Sequence, residues 1–203
     1  APFSGHKLYA PKGIGFLYVR KGAPYQPLIT GGGQEGGLRS GTENLPGIAA
    51  LNYIFQQLLD PEHSIFAGSK QLYQYREQLL AALRQLFPAL VLNSDLPQAL
   101  PTTLNFSVPG FFAKDILDLF DAAGIRVSSG SACSSKVTGS FVLDAMGLER
   151  WRSEGAIRLS FGPAFSQAEC EQACQRILSL VPVVKQHGLV LTDGDPLNIP
   201  ASS

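Results

Sequence analysis

Lys7 stands in the run Ser4-Gly5-His6-Lys7, which is followed by Pro11-Lys12-Gly13-Ile14-Gly15 and an apolar stretch. A lysine that forms a Schiff base must be held rigidly and must give up its proton easily. The edge of a sheet, beside small residues that leave space for a cofactor, meets both needs. Ser4 and His6 could each offer a hydrogen bond to a phosphate. A solvated surface loop is the plainer reading of a histidine beside a lysine. A second signal is Gly31-Gly32-Gly33-Gln34-Glu35-Gly36-Gly37-Leu38-Arg39-Ser40-Gly41-Thr42. Glycine-rich backbone beside an arginine and a hydroxyl can cradle a phosphate, because exposed N–H groups and positive charge converge there. A flexible surface loop has the same composition.

In the third segment, Ser128-Ser129-Gly130-Ser131-Ala132-Cys133-Ser134-Ser135, small and polar residues surround one cysteine. Such a loop suits a thiolate that leaves a pocket, attacks sulfur, and then presents its own sulfur to an acceptor. Its reactivity depends on how far the thiol pKa is lowered. Cys170 and Cys174 form an internal contrast: they lie four residues apart on the apolar stripe of a helix and read as small core hydrophobes. Ala156-Ile157-Arg158-Leu159-Ser160-Phe161-Gly162 places one arginine inside an apolar strand. A half-buried arginine needs an anion, and its planar fork suits a carboxylate. A structural salt bridge would satisfy it equally. Asn105, in Leu104-Asn105-Phe106-Ser107, is a further candidate for lining a pocket.

Taken in order, these segments resemble the NifS/IscS-type cysteine desulfurases, fold-type-I enzymes that use pyridoxal 5′-phosphate. The matching patterns are Ser-x-His-Lys-x-x-x-Pro-Lys-Gly-x-Gly, the glycine-rich run ending in Arg-Ser-Gly-Thr, Ser-Ser-Gly-Ser-Ala-Cys, and Arg-x-Ser-x-Gly. The resemblance runs from residue 3 to about residue 185 and covers the later part of a family member. It implies that Lys7 carries the cofactor and that Ser4 and His6 hold its phosphate. Thr42 would reach the phosphate bound by the partner subunit of a homodimer. Arg158 would hold the α-carboxylate of L-cysteine. Cys133 would take the sulfur, leaving L-alanine, and pass it to a sulfur acceptor or an iron–sulfur scaffold protein. Lys12 has no Schiff-base role in the resemblance.

One departure is Gly36, where the family usually has arginine. In the family, the acidic partner of the pyridinium nitrogen and the aromatic stacked on the ring lie upstream of the lysine motif. The chain by itself is therefore expected to show little or no desulfurase activity. Two other readings stand beside this one. The first is a C–S lyase of the same fold, which would not need a mobile cysteine loop. The second is a non-catalytic small domain that docks sulfur acceptors.

The elements that must position these residues follow from periodicity. The spacing of Ile48, Leu51, Phe55 and Leu58 predicts a helix over 45–59, and Leu72, Leu79, Leu83 and Leu86 predict one over 64–87, ended by Phe87-Pro88. Ile14–Val19 suits a buried strand. Further strands are expected at 90–92, 103–108, 125–127 and 156–160, with helices carrying Ile116 and Phe120, then over 140–146. Ser166 and Glu169 form a capping box for the last helix, and Pro182 should kink or fray its end. Strands and helices alternate, so the class is α/β, with an α+β small domain. The resemblance makes residues 1–44 the residual edge of a cofactor-binding large domain. Residues 45–203 are then the C-terminal small domain, with a loosely held tail after about 188.

Composition narrows the classes. Of 203 residues, 45% are hydrophobic, enough for a sizeable core. Sixteen basic residues balance sixteen acidic ones with no charged run, which argues against nucleic acid or an anionic membrane surface as the main partner. No apolar stretch approaches the ~20 residues of a membrane span, and the first residues lack a signal-peptide pattern. Three cysteines without a CxxC pair argue against a disulfide framework or a zinc site and fit a reducing, cytoplasmic setting. No metal ligand set is expected.

Overall fold

The computed structural model describes residues 1–60, 62, 67–129 and 140–186. Cys133 and the tail after about 188 lie outside the described residues, as does the expected start of the second helix at 64. The chain divides into two compact units, Ala1–Ala67 and Gly68–Ser203. The first unit continues past position 44, and Leu51 and Ile54 of the helix that follows pack on Ala10, with Leu8, Ile14 and Phe16 beside them.

In the first unit, β1 (Pro2–Ser4) and β2 (Gly15–Leu17) pair antiparallel, with Phe3 opposite Phe16. Their connection contains a 3-10 turn over Gly5–Leu8, closed by Tyr9 at φ 69°. Gly5 marks a close backbone crossing. Its N–H donates to the Ile14 carbonyl at 2.9 Å, and a Cβ there would lie 2.8 Å from the same oxygen. Only glycine tolerates that approach. The helix α1 (Leu45–Leu59) starts at Asn44, whose side chain accepts from the Gly47 N–H, with Pro46 in the first turn. Its Leu51 and Ile54 bury against Ala10. Phe16 stacks on Phe3 at 4.6 Å and meets Phe55 edge-on at 5.3 Å.

The apolar run Ile14–Val19 is not a buried strand. Leu17, Tyr18 and Val19 stay 50%, 60% and 41% exposed. A two-stranded ribbon of three-residue strands packs through one face only, and Phe16 occupies it.

The second unit is built around an antiparallel sheet ordered β3 (Val91–Leu92), β4 (Thr103–Ser107), β5 (Ile157–Ser160). Side chains alternate across it. Leu104, Phe106, Ile157 and Leu159 enter one core with Leu79 and Leu83 of α2 (Leu72–Leu86), Phe120 of α3 (Ala113–Ala122) and Ile177 of α6 (Gln167–Ser179). The predicted stripe Leu72, Leu79, Leu83, Leu86 is buried throughout.

No strand forms at 125–127. After α3 the chain reverses at Gly124, φ 70°, and the Ile125 N–H donates to the Phe120 carbonyl at 2.9 Å. The helix cap thus takes the donor a ladder would need, and pairing begins only at Ser128, opposite Arg158. Ser140 caps α4 (Phe141–Ala145). The five-residue α5 (Arg150–Glu154) is too short to show an apolar period and was not expected. The capping box of Ser166 and Glu169 is present. α6 stops at Ser179 and α7 (Val181–Gln186) begins two residues later, after Leu180, so Pro182 sits in the first turn of a new helix, where it removes no needed N–H.

Candidate active-site residues in the two units

The 3-10 turn of the first unit carries Ser4 at its N-cap position and His6 and Lys7 within it, all exposed. Among the described residues, none of these three side chains has a hydrogen-bond or ion-pair partner. A primary amine, an imidazole and a hydroxyl therefore stand unengaged within four residues, on a turn pinned by the Gly5–Ile14 crossing.

The glycine-rich run is not loose. Ser40 is buried and its hydroxyl donates to the Gly32 carbonyl at 2.6 Å. The Gly41 N–H donates to Gln34 Oε1 at 3.1 Å, and the Tyr25 hydroxyl donates to the Leu38 carbonyl at 3.0 Å. Glu35, Gly36 and Gly37 take successive left-handed φ values of 54°, 63° and 79°. At Gly36 an added Cβ would meet nothing within 4 Å, so glycine there serves backbone conformation rather than space. Thr42 is exposed, two residues ahead of the α1 cap, and lines an open cleft of about 810 Å³ with Phe16, Leu17, Tyr25, Leu38 and Ile48. Ser4, His6 and Lys7 do not line that cleft. Thr42 thus lines the cleft, and the lysine turn does not.

In the second unit the sheet face opposite the core is polar. It carries Thr103, Asn105 and Ser107 from β4 and Arg158 and Ser160 from β5. Asn105 lies directly opposite Arg158. Both backbone groups of Arg158 turn the other way, its N–H donating to the Ser128 carbonyl and its carbonyl accepting from the Ser128 N–H at 3.0 Å. Asn105 and Arg158 are therefore a non-hydrogen-bonded pair, the kind whose side chains stand closest, about 4.5 Å between Cα atoms. Arg158 is half-buried, and its guanidinium has no partner among the described residues. The structural salt bridge weighed from sequence is thus absent among them. Ser128 ties the stem of the cysteine segment to the Arg158 backbone; Cys133 itself lies outside the described residues.

Sequence reasoning missed a buried polar cluster behind Asn105. Asn93 Nδ2 donates to Asn105 Oδ1 and to Ser107 Oγ, both at 2.8 Å. Arg152 Nε donates to Asn93 Oδ1 at 3.0 Å and its Nη2 to the Leu92 carbonyl at 2.8 Å. Ser107 Oγ donates to the Arg152 carbonyl at 2.8 Å. No motif joins these residues; only Asn105 and Ser107, alternating on β4, share a local pattern.

The two remaining cysteines behave as core groups. Cys170 is fully buried, and burial, with Cys174 beside it, pushes its thiol up to about 12. Burial also raises the thiol of Cys174. Among the described residues no cluster of metal-ligating side chains occurs, and no helix is long and apolar enough to cross a membrane.

The chain is similar to cysteine desulfurases of known sequence. It is 39% identical over 183 residues to the cysteine desulfurase of a Nostoc species, covering 89% of this chain and 44% of that protein. It is also 39% identical over 180 residues to that of Gluconacetobacter diazotrophicus, covering 88% and 43%. Among solved structures, a NifS-like protein superposes with a TM-score of 0.74 at 34% identity, over 90% of this chain and 46% of that one. SspA, solved in complex with cysteine, matches at TM-score 0.59 and 34% identity, over 80% and 43%. The chain thus spans a little under half the length of these relatives. The Aminotransferase class-V profile matches residues 1–172, and the chain belongs to that family.

Proposed function

We propose that the full-length protein is a pyridoxal-phosphate-dependent cysteine desulfurase. It removes sulfur from L-cysteine, releases L-alanine and carries the sulfur as a persulfide on Cys133. The observation that carries this reading is Arg158, a half-buried guanidinium without a partner among the described residues, beside the stem of the cysteine segment. Cysteine bound to the relative SspA supports the substrate.

The donor set of the lysine turn fits the cofactor: an amine for its aldehyde, with a hydroxyl and an imidazole for its phosphate. Lys7, Ser4 and His6 would hold it. Thr42, exposed and outside the lysine turn, would reach the phosphate held by the partner subunit of a homodimer. When bound, pyridoxal phosphate supplies an electron sink for charge released at the substrate carbon. Arg158 binds and orients the carboxylate through its planar fork. The Lys7 amine moves a proton to and from the substrate Cα. The Cys133 thiolate attacks the substrate sulfur, so the S–S bond forms as the C–S bond breaks and the carbon keeps the electron pair. Protonation of that carbon completes L-alanine. L-Cysteine and a thiol become L-alanine and a persulfide, with no external oxidant. The persulfide then goes to a sulfur acceptor or iron–sulfur scaffold protein in a reducing, cytoplasmic setting.

The test is borohydride reduction with pyridoxal phosphate, followed by mapping of the modified lysine by mass spectrometry and alkylation of any persulfide after L-cysteine. Label confined to Lys7 and a persulfide at Cys133 are expected, the latter abolished in Cys133→Ala. Turnover of L-cysteine that survives Cys133→Ala would instead assign a C–S lyase.

A further inference from the structure

We propose that Arg152 and Asn93 are positioning residues that lock the Asn105 carboxamide, so that its amide group and the Arg158 guanidinium form a donor-only cradle for a carboxylate. The inference rests on the reading of Arg158 as the carboxylate site.

The order of atoms along this relay follows from one chemical fact: a guanidinium has donors and no acceptor. The Asn93 atom facing Arg152 Nε at 3.0 Å must therefore be the oxygen. That turns Asn93 Nδ2 toward β4, where its two hydrogens go to Asn105 Oδ1 and Ser107 Oγ. Arg152 is itself held by the Leu92 carbonyl, and its own carbonyl accepts from Ser107 Oγ. Asn93 and Ser107 are 4% and 0% exposed, so water cannot substitute for these partners cheaply.

Asn105 Oδ1 is thereby committed, and what remains of its side chain is an amide with two hydrogens and no partner among the described residues. Asn105 and Arg158 are both only partly buried, so the amide and the guanidinium, neither partnered among the described residues, stand on the half-exposed face of the sheet. Among the described residues the network is closed at Asn93, Ser107 and Arg152 and open at the Asn105 amide, which lies opposite Arg158. Two donor groups on adjacent strands match the two oxygens of a carboxylate. An Asn105 turned over would place its oxygen against that carboxylate.

The test uses the ¹⁵N-labelled chain titrated with L-alanine, a carboxylate probe without sulfur, and read at the Asn105 side-chain amide and the Arg158 Nε–H. Both signals should shift saturably, and L-alaninamide should shift neither. Asn93→Asp keeps the shape and the bond from Arg152 but cannot donate to Asn105. It should weaken L-alanine binding roughly tenfold and abolish the Asn105 response. Arg152→Leu should weaken binding similarly, and Arg152→Lys, again a pure donor, should recover most of it. Unchanged affinity in Asn93→Asp, or an Asn105 amide that stays silent while Arg158 responds, overturns the positioning role and leaves the carboxylate reading of Arg158 standing. Silence at both residues overturns both. Should Asn93→Asp not fold, the wild-type titration decides by itself.

Discussion

The two units hold their chemistry in opposite ways. In the second, twenty buried side chains among the described residues form one core, and Asn105 and Arg158 stand on the far face of the sheet that the core supports. In the first, the buried cluster among the described residues is Ala10, Leu51 and Ile54, while Leu28, Leu45 and Tyr18 are 95%, 69% and 60% exposed. The candidate lysine, serine and histidine ride on a turn held by a backbone crossing, and the glycine-rich run is held by side chains bonding to its backbone. A packed core fixes site geometry without outside help. A turn held by a single backbone crossing has few contacts to fix its side chains.

The sharpest way to break this contrast is to cut into each core. Phe106→Ala, in a side chain with no exposure, should cost about 3–5 kcal/mol in urea unfolding of the second unit. Leu51→Ala, in the small cluster, should cost less, about 2 kcal/mol, because its surroundings can collapse. Equal losses would mean the first unit is packed as firmly as the second.

Next in size is thiol reactivity. With its thiol raised from the usual 9 to about 12, chiefly by burial, Cys170 should be alkylated about a thousandfold more slowly near neutral pH than an ordinary thiol. The same shift has a pH consequence. The fold favours the neutral thiol, so its stabilising contribution is complete below pH 9 and is lost as pH rises from 9 toward 12. Alkaline titration of the urea midpoint should show that loss in the wild type and less of it in Cys170→Ala. Rapid labelling of Cys170 in the folded chain would show that the second core opens locally.

The smallest effect should come from Gly36→Arg. The position has open space but φ 63°, so only backbone strain of about 1 kcal/mol is expected, read as a slight drop in thermal midpoint confined to the first unit. A larger loss would mean that the glycine-rich run anchors the unit more than its contacts indicate.

Elements with a long apolar period or a strong cap were legible beforehand. The stripe of α2 and the capping box of α6 both depend on residues close in sequence. The expected strand at 125–127 failed because the helix cap before it claims the Ile125 donor, a competition invisible to periodicity. The helix α5 was too short to announce itself, and the exposed run Leu17–Val19 reads as buried only because apolar content does not reveal whether a second layer exists.

Sequence alone determined the chemical cast: a lysine beside hydroxyl and imidazole, a cysteine among small residues, an arginine in an apolar strand, and two cysteines on a helix stripe. These are matters of residue type and local spacing. Tertiary structure decided which of them share a surface. It set Asn105 against Arg158, tied Ser128 to the same strand, placed Thr42 on the cleft, and assembled Arg152, Asn93 and Ser107 behind Asn105. Those pairings join residues up to 60 positions apart, as Arg152 and Leu92 are, through strand register and the packing of α5 on the sheet, which no local pattern encodes.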